Sequence, residues 1–208
     1  LRTTRESLEE TQPLASEDGS LVLVMDGRLD NWIELRADLL KRGTALRDKS
    51  DAELVLRAFE TWGEACLDHL DGSFALAVWD NAKRLVFCAR DRMGHKPFYY
   101  RLSNHELAFA SEPGPLLANR ELPPLNTGML AEFLADEFLS IDETVWTGIH
   151  RLPPAHCLIS DHEGKTDLRR YWVLEPLADV ARLGDDELIE QYRALFSDSV
   201  RRASRSHR

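Results

Sequence analysis

The sequence predicts an α+β domain, and three observations predict it. A branched apolar run sits between two Asp-Gly pairs, two stretches of helical periodicity follow it, and a block of short strands with tight turns comes next. Segregated blocks of this kind suit an α+β domain or a layered sandwich of sheets with helices.

The first element, Leu21-Val22-Leu23-Val24-Met25, lies between Asp18-Gly19 and Asp26-Gly27 and reads as a buried strand ending in a tight turn. From Asn31 the spacing changes, and Ile33, Leu35, Leu39 and Leu40 make a helical stripe closed at Gly43. A second helix opens at Ser50, with Glu53 three residues later as in a capping box, and runs through Leu54, Val55, Ala58 and Phe59 to Trp62. Gly63 interrupts it before a short helical piece that reaches Leu70. Residues 73–79 and 84–90, separated by Asp80-Asn81-Ala82-Lys83, read as a hairpin. Shorter strands at 98–101 and 106–110 flank a turn at Ser103-Asn104. In the proline-punctuated stretch beyond, a helix is expected at 127–134 and strands near 155–160 and 171–174. Leu188, Ile189, Tyr192, Leu195, Phe196 and Val200 give residues 185–201 helical spacing with one buried face.

At 208 residues the chain is expected to hold one large domain, or one domain and the start of another. Residues 1–174 read as the domain, 175–184 as a linker and 185–208 as the start of a second unit. With 36 Asp and Glu against 26 Lys and Arg, the net charge is -10, the wrong sign for a nucleic-acid partner. No apolar run approaches the roughly 18 residues that span a bilayer, so no membrane partner is expected. The three cysteines, Cys66, Cys88 and Cys157, form no CxxC pair and point to reduced thiols in a cytoplasmic protein. The chain starts at Leu1 without a signal-like segment and runs out in a basic tail, Arg202-Ala203-Ser204-Arg205-Ser206-His207-Arg208. Both ends therefore read as cut, the expectation being an internal piece of a longer polypeptide.

Most chemical motifs that a scan would raise have bland readings. Cys88 and His95 could form a nucleophile pair, but Cys88 alternates with Val86 on a strand and suits a small core residue. His156 and Cys157 are adjacent, so a strand points them to opposite faces and they cannot share a metal. No GxGxxG or Walker pattern occurs, and Asp136, Glu137, Asp142 and Glu143 read as a solvated acidic face. Two features remain. The turn at Asp26-Gly27 could present backbone N–H groups to a developing oxyanion, or Asp26 could be there because Asp-Gly suits a turn. Asp51 could serve a ligand or simply stabilise the start of its helix.

The series Gln12-Pro13-Leu14, Val24-Met25-Asp26-Gly27-Arg28-Leu29-Asp30-Asn31, Ser50-Asp51-Ala52-Glu53-Leu54, Leu70-Asp71-Gly72-Ser73-Phe74-Ala75, Ala89-Arg90-Asp91-Arg92-Met93-Gly94-His95-Lys96-Pro97-Phe98-Tyr99-Tyr100 and Ala110-Ser111-Glu112 resembles the glutaminase domain of glutamine-hydrolysing asparagine synthetases, in order from Gln12 to Tyr171. The resemblance implies a four-layer αββα sandwich of the N-terminal-nucleophile hydrolase type, lacking its N-terminal part. It implies glutamine as substrate, attacked by an N-terminal cysteine. No cysteine precedes Cys66, so that nucleophile is expected outside the chain. The carboxylate-binding arginine falls at or just before Leu1, with Arg2 as the counterpart if the alignment shifts. Asp51 matches the acidic residue that binds the glutamine ammonium, and Gly27 matches the backbone donor of the oxyanion hole. Asp26 departs from the family, whose Asn side chain donates to the oxyanion, because an ionised Asp only accepts.

Asp-Gly-Arg-Leu-Asp-Asn also looks like the variant in asparagine-synthetase-like cyclases of the lasso-peptide and β-lactam type. The resemblance to these implies amide formation with an internal amine and an N-terminal domain kept as scaffold. Residues 185–201 resemble the first helix of an ATP-pyrophosphatase-like synthetase domain, for which ATP and Mg are implied. No residue of this chain is expected to bind a cofactor or a metal. The expected partners are glutamine and the C-terminal synthetase domain, and homo-oligomers are left open.

Overall fold

The computed structural model describes residues 10–103, 106–118, 121–175 and 183–205. Six strands form one sheet in the order β1-β2-β3-β4-β8-β9, and three form a second in the order β6-β5-β7. These are β1 (Leu14–Ala15), β2 (Leu21–Leu29), β3 (Gly72–Asp80), β4 (Leu85–Arg90), β5 (Tyr99–Ser103), β6 (Glu106–Ala110), β7 (His150–Arg151), β8 (His156–Asp161) and β9 (Thr166–Arg170). Every pairing between them is antiparallel.

Period-two alternation sorts the strands into two cores. Leu23 and Leu29 of β2, Phe74, Leu76 and Val78 of β3, and Phe87 of β4 face helices α1 (Trp32–Lys41) and α2 (Asp51–Trp62). Ala75, Ala77, Cys88 and Leu158 point the other way and meet Phe98, Tyr100 and Leu152 between the two sheets. The small residues on that side let the sheets approach. Helix α3 (Pro113–Leu117) packs beside β5 and β6, and α4 (Thr127–Ala135) begins at Asn126, whose side chain accepts from Gly128 N and Met129 N.

Most expected elements form, including both early helices, the β3–β4 hairpin and a 3₁₀ helix at Gly63–His69. Four expectations are corrected. Asp26-Gly27 is not a turn, because β2 continues through it to Leu29 in register with β3, Asp26 opposite Ala75 and Gly27 opposite Phe74. Gly27 is required by a close approach instead, since a Cβ there would stand 2.5 Å from the Ser73 carbonyl oxygen. Ser50 does cap α2, its hydroxyl accepting from Glu53 N at 3.1 Å, but the Glu53 carboxylate turns to Arg47 and Arg57 rather than completing a capping box.

Third, residues 171–174 are irregular. The strand lies just before them at Thr166–Arg170, a wholly exposed edge whose Thr-Asp-Leu-Arg-Arg sequence shows no apolar alternation. Fourth, helix α5 (Asp185–Ala203) forms as expected but buries none of its residues. The expected linker falls mostly on 176–182, and Leu1, Arg2, Asn104 and Ser206 to Arg208 also lie outside the described residues.

Candidate functional site

Strand β2 organises the site because β1 pairs with it only at Val22 and Leu23. Farther along that edge, among the described residues, side chains bond the backbone of β2. The Gln12 amide accepts from Met25 N at 2.7 Å and donates to Met25 O at 2.9 Å. Four residues on, Leu29 N donates to Asp51 Oδ2 at 3.0 Å. Alternate residues of a strand turn their N–H groups to the same edge, so Gly27, midway between Met25 and Leu29, presents its N–H there too. Asp51 is held by its position as the first residue of α2, behind the Ser50 cap, and is 4% exposed.

Asp26 points to the opposite face, toward the second sheet. Its Oδ1 accepts from Lys96 Nζ at 2.9 Å, both side chains being partly exposed. Lys96 is placed by the loop after β4. Buried Asp91 accepts from the backbone N–H of Met93, His95 and Lys96, and Arg90 donates to the carbonyls of Gly94, Lys96 and Leu152. Gly94 has φ +68°, and a Cβ there would lie 2.7 Å from Pro154 Cγ. The Arg-Asp-x-x-Gly-x-x-Pro motif is thus a rigid loop that delivers one lysine to Asp26.

Asp26 lines a cleft of about 220 Å³ with Gln12, Met25, Leu76, Phe98 and Ser111. A larger open groove of about 720 Å³, at the other end of β3 beside Trp79 and His162, includes neither Asp26 nor Asp51. Thus Gly27 and Asp51 address one edge of β2 while the Asp26 side chain addresses the cleft. Sequence reading missed Lys96, which lies 70 residues from its partner and carries no local signal. It also missed Gln12 as a backbone clamp, although the Gln-Pro-Leu motif was visible.

The remaining candidates are structural. Cys66, Cys88 and Cys157 are all buried, and burial pushes every one of their thiols up, Cys66 to about 12. None is an attacking thiolate. Among the described residues, no group of three or more His, Cys, Asp or Glu side chains could hold a metal ion, and no helix is long and apolar enough to cross a membrane.

The glutamine amidotransferase domain model matches residues 3–172. The chain belongs to this family. Among relatives of the glutamine amidotransferase domain, Bacillus subtilis asparagine synthetase (glutamine-hydrolysing) 3 is 33% identical over 195 residues, covering 92% of this chain and 31% of its own length. Its B. subtilis counterpart numbered 2 is 35% identical over 212 residues, 94% and 27% respectively. An amidase of Penicillium rubens is 31% identical over 94% of the chain and 29% of its own length. The chain therefore spans about a third of the length of these relatives. In structure, the domain resembles glutamine phosphoribosylpyrophosphate amidotransferase of B. subtilis, with TM-score 0.55 at 20% identity over 80% of this chain and 33% of that one. The fold is the expected α+β sandwich of the N-terminal-nucleophile type.

Proposed function

We propose that this domain binds glutamine for an asparagine-synthetase-like amidotransferase, with Asp51 receiving the α-ammonium and Gly27 N–H facing the oxyanion of the carboxamide under attack. The observation that carries the reading is the stretch of β2 beyond its pairing with β1, where Asp51 is bonded to Leu29 two residues beyond Gly27. A buried carboxylate and a backbone donor on one edge suit a substrate bearing an ammonium at one end and a carboxamide at the other. The relatives' names supply the reaction class, asparagine synthesis with hydrolysis of glutamine. ATP-dependent amide formation belongs, in this proposal, to the two thirds of the relatives' length that the chain does not span. No residue here is assigned to ATP or magnesium. A cytoplasmic location is part of the same reading.

The Asp26–Lys96 pair favours a second reading. A carboxylate offers the oxyanion no donor, and a lysine at 2.9 Å compensates its charge without restoring an aligned amide N–H. That is what a domain retained as scaffold in a non-hydrolysing, amide-forming cyclase would tolerate. Glutamate release from glutamine by the complete protein separates the two readings. The glutaminase reading expects measurable wild-type activity that Asp26→Asn raises by about 100-fold, one oxyanion donor being worth on the order of 3 kcal/mol. The cyclase reading expects none from the wild type.

A further inference from the structure

The chain at the C-terminal end of α5 reaches Asp51. Arg28 caps it, Nη1 donating to the carbonyls of Ala203 at 3.1 Å and Arg205 at 3.2 Å and Nη2 to that of Arg202 at 2.6 Å. A guanidinium suits that position because the last carbonyls of a helix lack partners and carry the negative end of its dipole. Arg202 reaches Glu34 at 3.2 Å on the same side. With the helix end fixed, Arg205 turns inward. Its Nη1 stands 2.9 Å and 3.0 Å from the two Asp51 oxygens and 3.2 Å from the Leu29 carbonyl oxygen. The Trp32 ring lies across it, 4.4 Å from centroid to guanidinium carbon. The side chains of Arg205 and Asp51 are 11% and 5% exposed.

A carboxylate, a carbonyl oxygen and an aromatic face make a cage suited to a flat, delocalised, weakly hydrated cation. We infer that Asp51, Trp32 and the Leu29 carbonyl form a guanidinium-binding site filled by the chain's own Arg205, so that a small-molecule cation binds there only after the end of α5 withdraws. Only the extension to glutamine rests on the proposed role of Asp51. Removing Arg205 strips a counter-charge from a desolvated carboxylate, and an added cation should then repair the loss.

The test uses methylguanidinium and glutamine as probes of the 208-residue chain, wild type and Arg205→Ala, with thermal melting and ligand-observed NMR titration. Arg205→Ala is expected to melt lower than wild type, to regain stability with methylguanidinium, and to bind it at least 10-fold more tightly than wild type does. Trp32→Leu in the Arg205→Ala background should weaken that binding. If Arg205→Ala fails to fold, Arg205→Gln takes its place under the same criteria. Tighter methylguanidinium binding without glutamine binding would uphold the cage and remove the glutamine assignment of Asp51. Glutamine binding without methylguanidinium binding would overturn the cage and leave that assignment standing. Equal affinity of wild type and variant for both probes would overturn the inference outright.

Discussion

Gly27 is fixed by packing, whereas its neighbour Asp26 is not. A Cβ on Gly27 would lie 2.5 Å from Ser73 O and 2.7 Å from Phe74 Cα, both backbone atoms that cannot swing aside. Gly27→Ala should therefore force β2 and β3 apart and cost about 1–3 kcal/mol, read as a lower urea midpoint with the urea dependence unchanged. Asp26 has no such steric constraint, so Asp26→Asn should leave the urea midpoint close to wild type while changing chemistry. The sequence identified both residues but misread their setting. Asp-Gly is a strong turn signal, and the register that keeps it in a strand comes from β3, about 50 residues away, where no local pattern can announce it. Lys96 and Arg205 were invisible for the same reason, since each matters through a partner distant in sequence.

Glu53 sets the energetics of helix α2. It is fully buried, and its carboxylate accepts from Arg47 Nε and Nη2 and from Arg57 Nε, tying the helix to the loop before it. Burial alone would push its pKa up, but the bonds from Arg47 and Arg57 outweigh that and hold it below the ordinary value of 4.5. A carboxyl depressed in the folded state contributes stability that is complete above the unfolded value and is lost as pH falls through the folded one. Glu53→Ala should cost about 1–3 kcal/mol at pH 7, because Arg47 and Arg57 lose a buried hydrogen-bonded partner while Arg57 keeps Glu17 and Glu60, and should flatten the loss of stability below pH 4.5. Chemical denaturation at stepped pH checks both. The sequence located this helix and its Ser50 cap through local patterns. Edge strand β9 was missed because an exposed edge carries polar residues on both faces and leaves no period to read.

Over the whole molecule, the described residues divide their apolar surface between two cores and exposed stretches that include helix α5 and residues 133–141. The helix-to-sheet and sheet-to-sheet cores were legible as a class because alternation and helical spacing are written in every segment. Helix α5 was legible as a helix only. Tyr192, Leu195 and Phe196 are 69%, 67% and 59% exposed, although their spacing called for a covered face. The 208-residue chain should therefore bind a hydrophobic dye such as ANS, and Tyr192→Glu with Phe196→Glu should reduce the fluorescence without altering the melting temperature, the exposed apolar side chains of residues 133–141 keeping part of the signal. An unchanged signal would place the exposed surface elsewhere. The net charge of -10 keeps such a molecule dispersed in spite of that face.

The three buried cysteines have a practical consequence. Thiol reagents attack thiolates, and burial keeps Cys66, Cys88 and Cys157 both protonated and out of reach. The folded chain is thus a silent background for maleimide chemistry at neutral pH. A single cysteine installed at an exposed position would carry a fluorophore or spin label to one address, without first stripping the native sulfurs from the core.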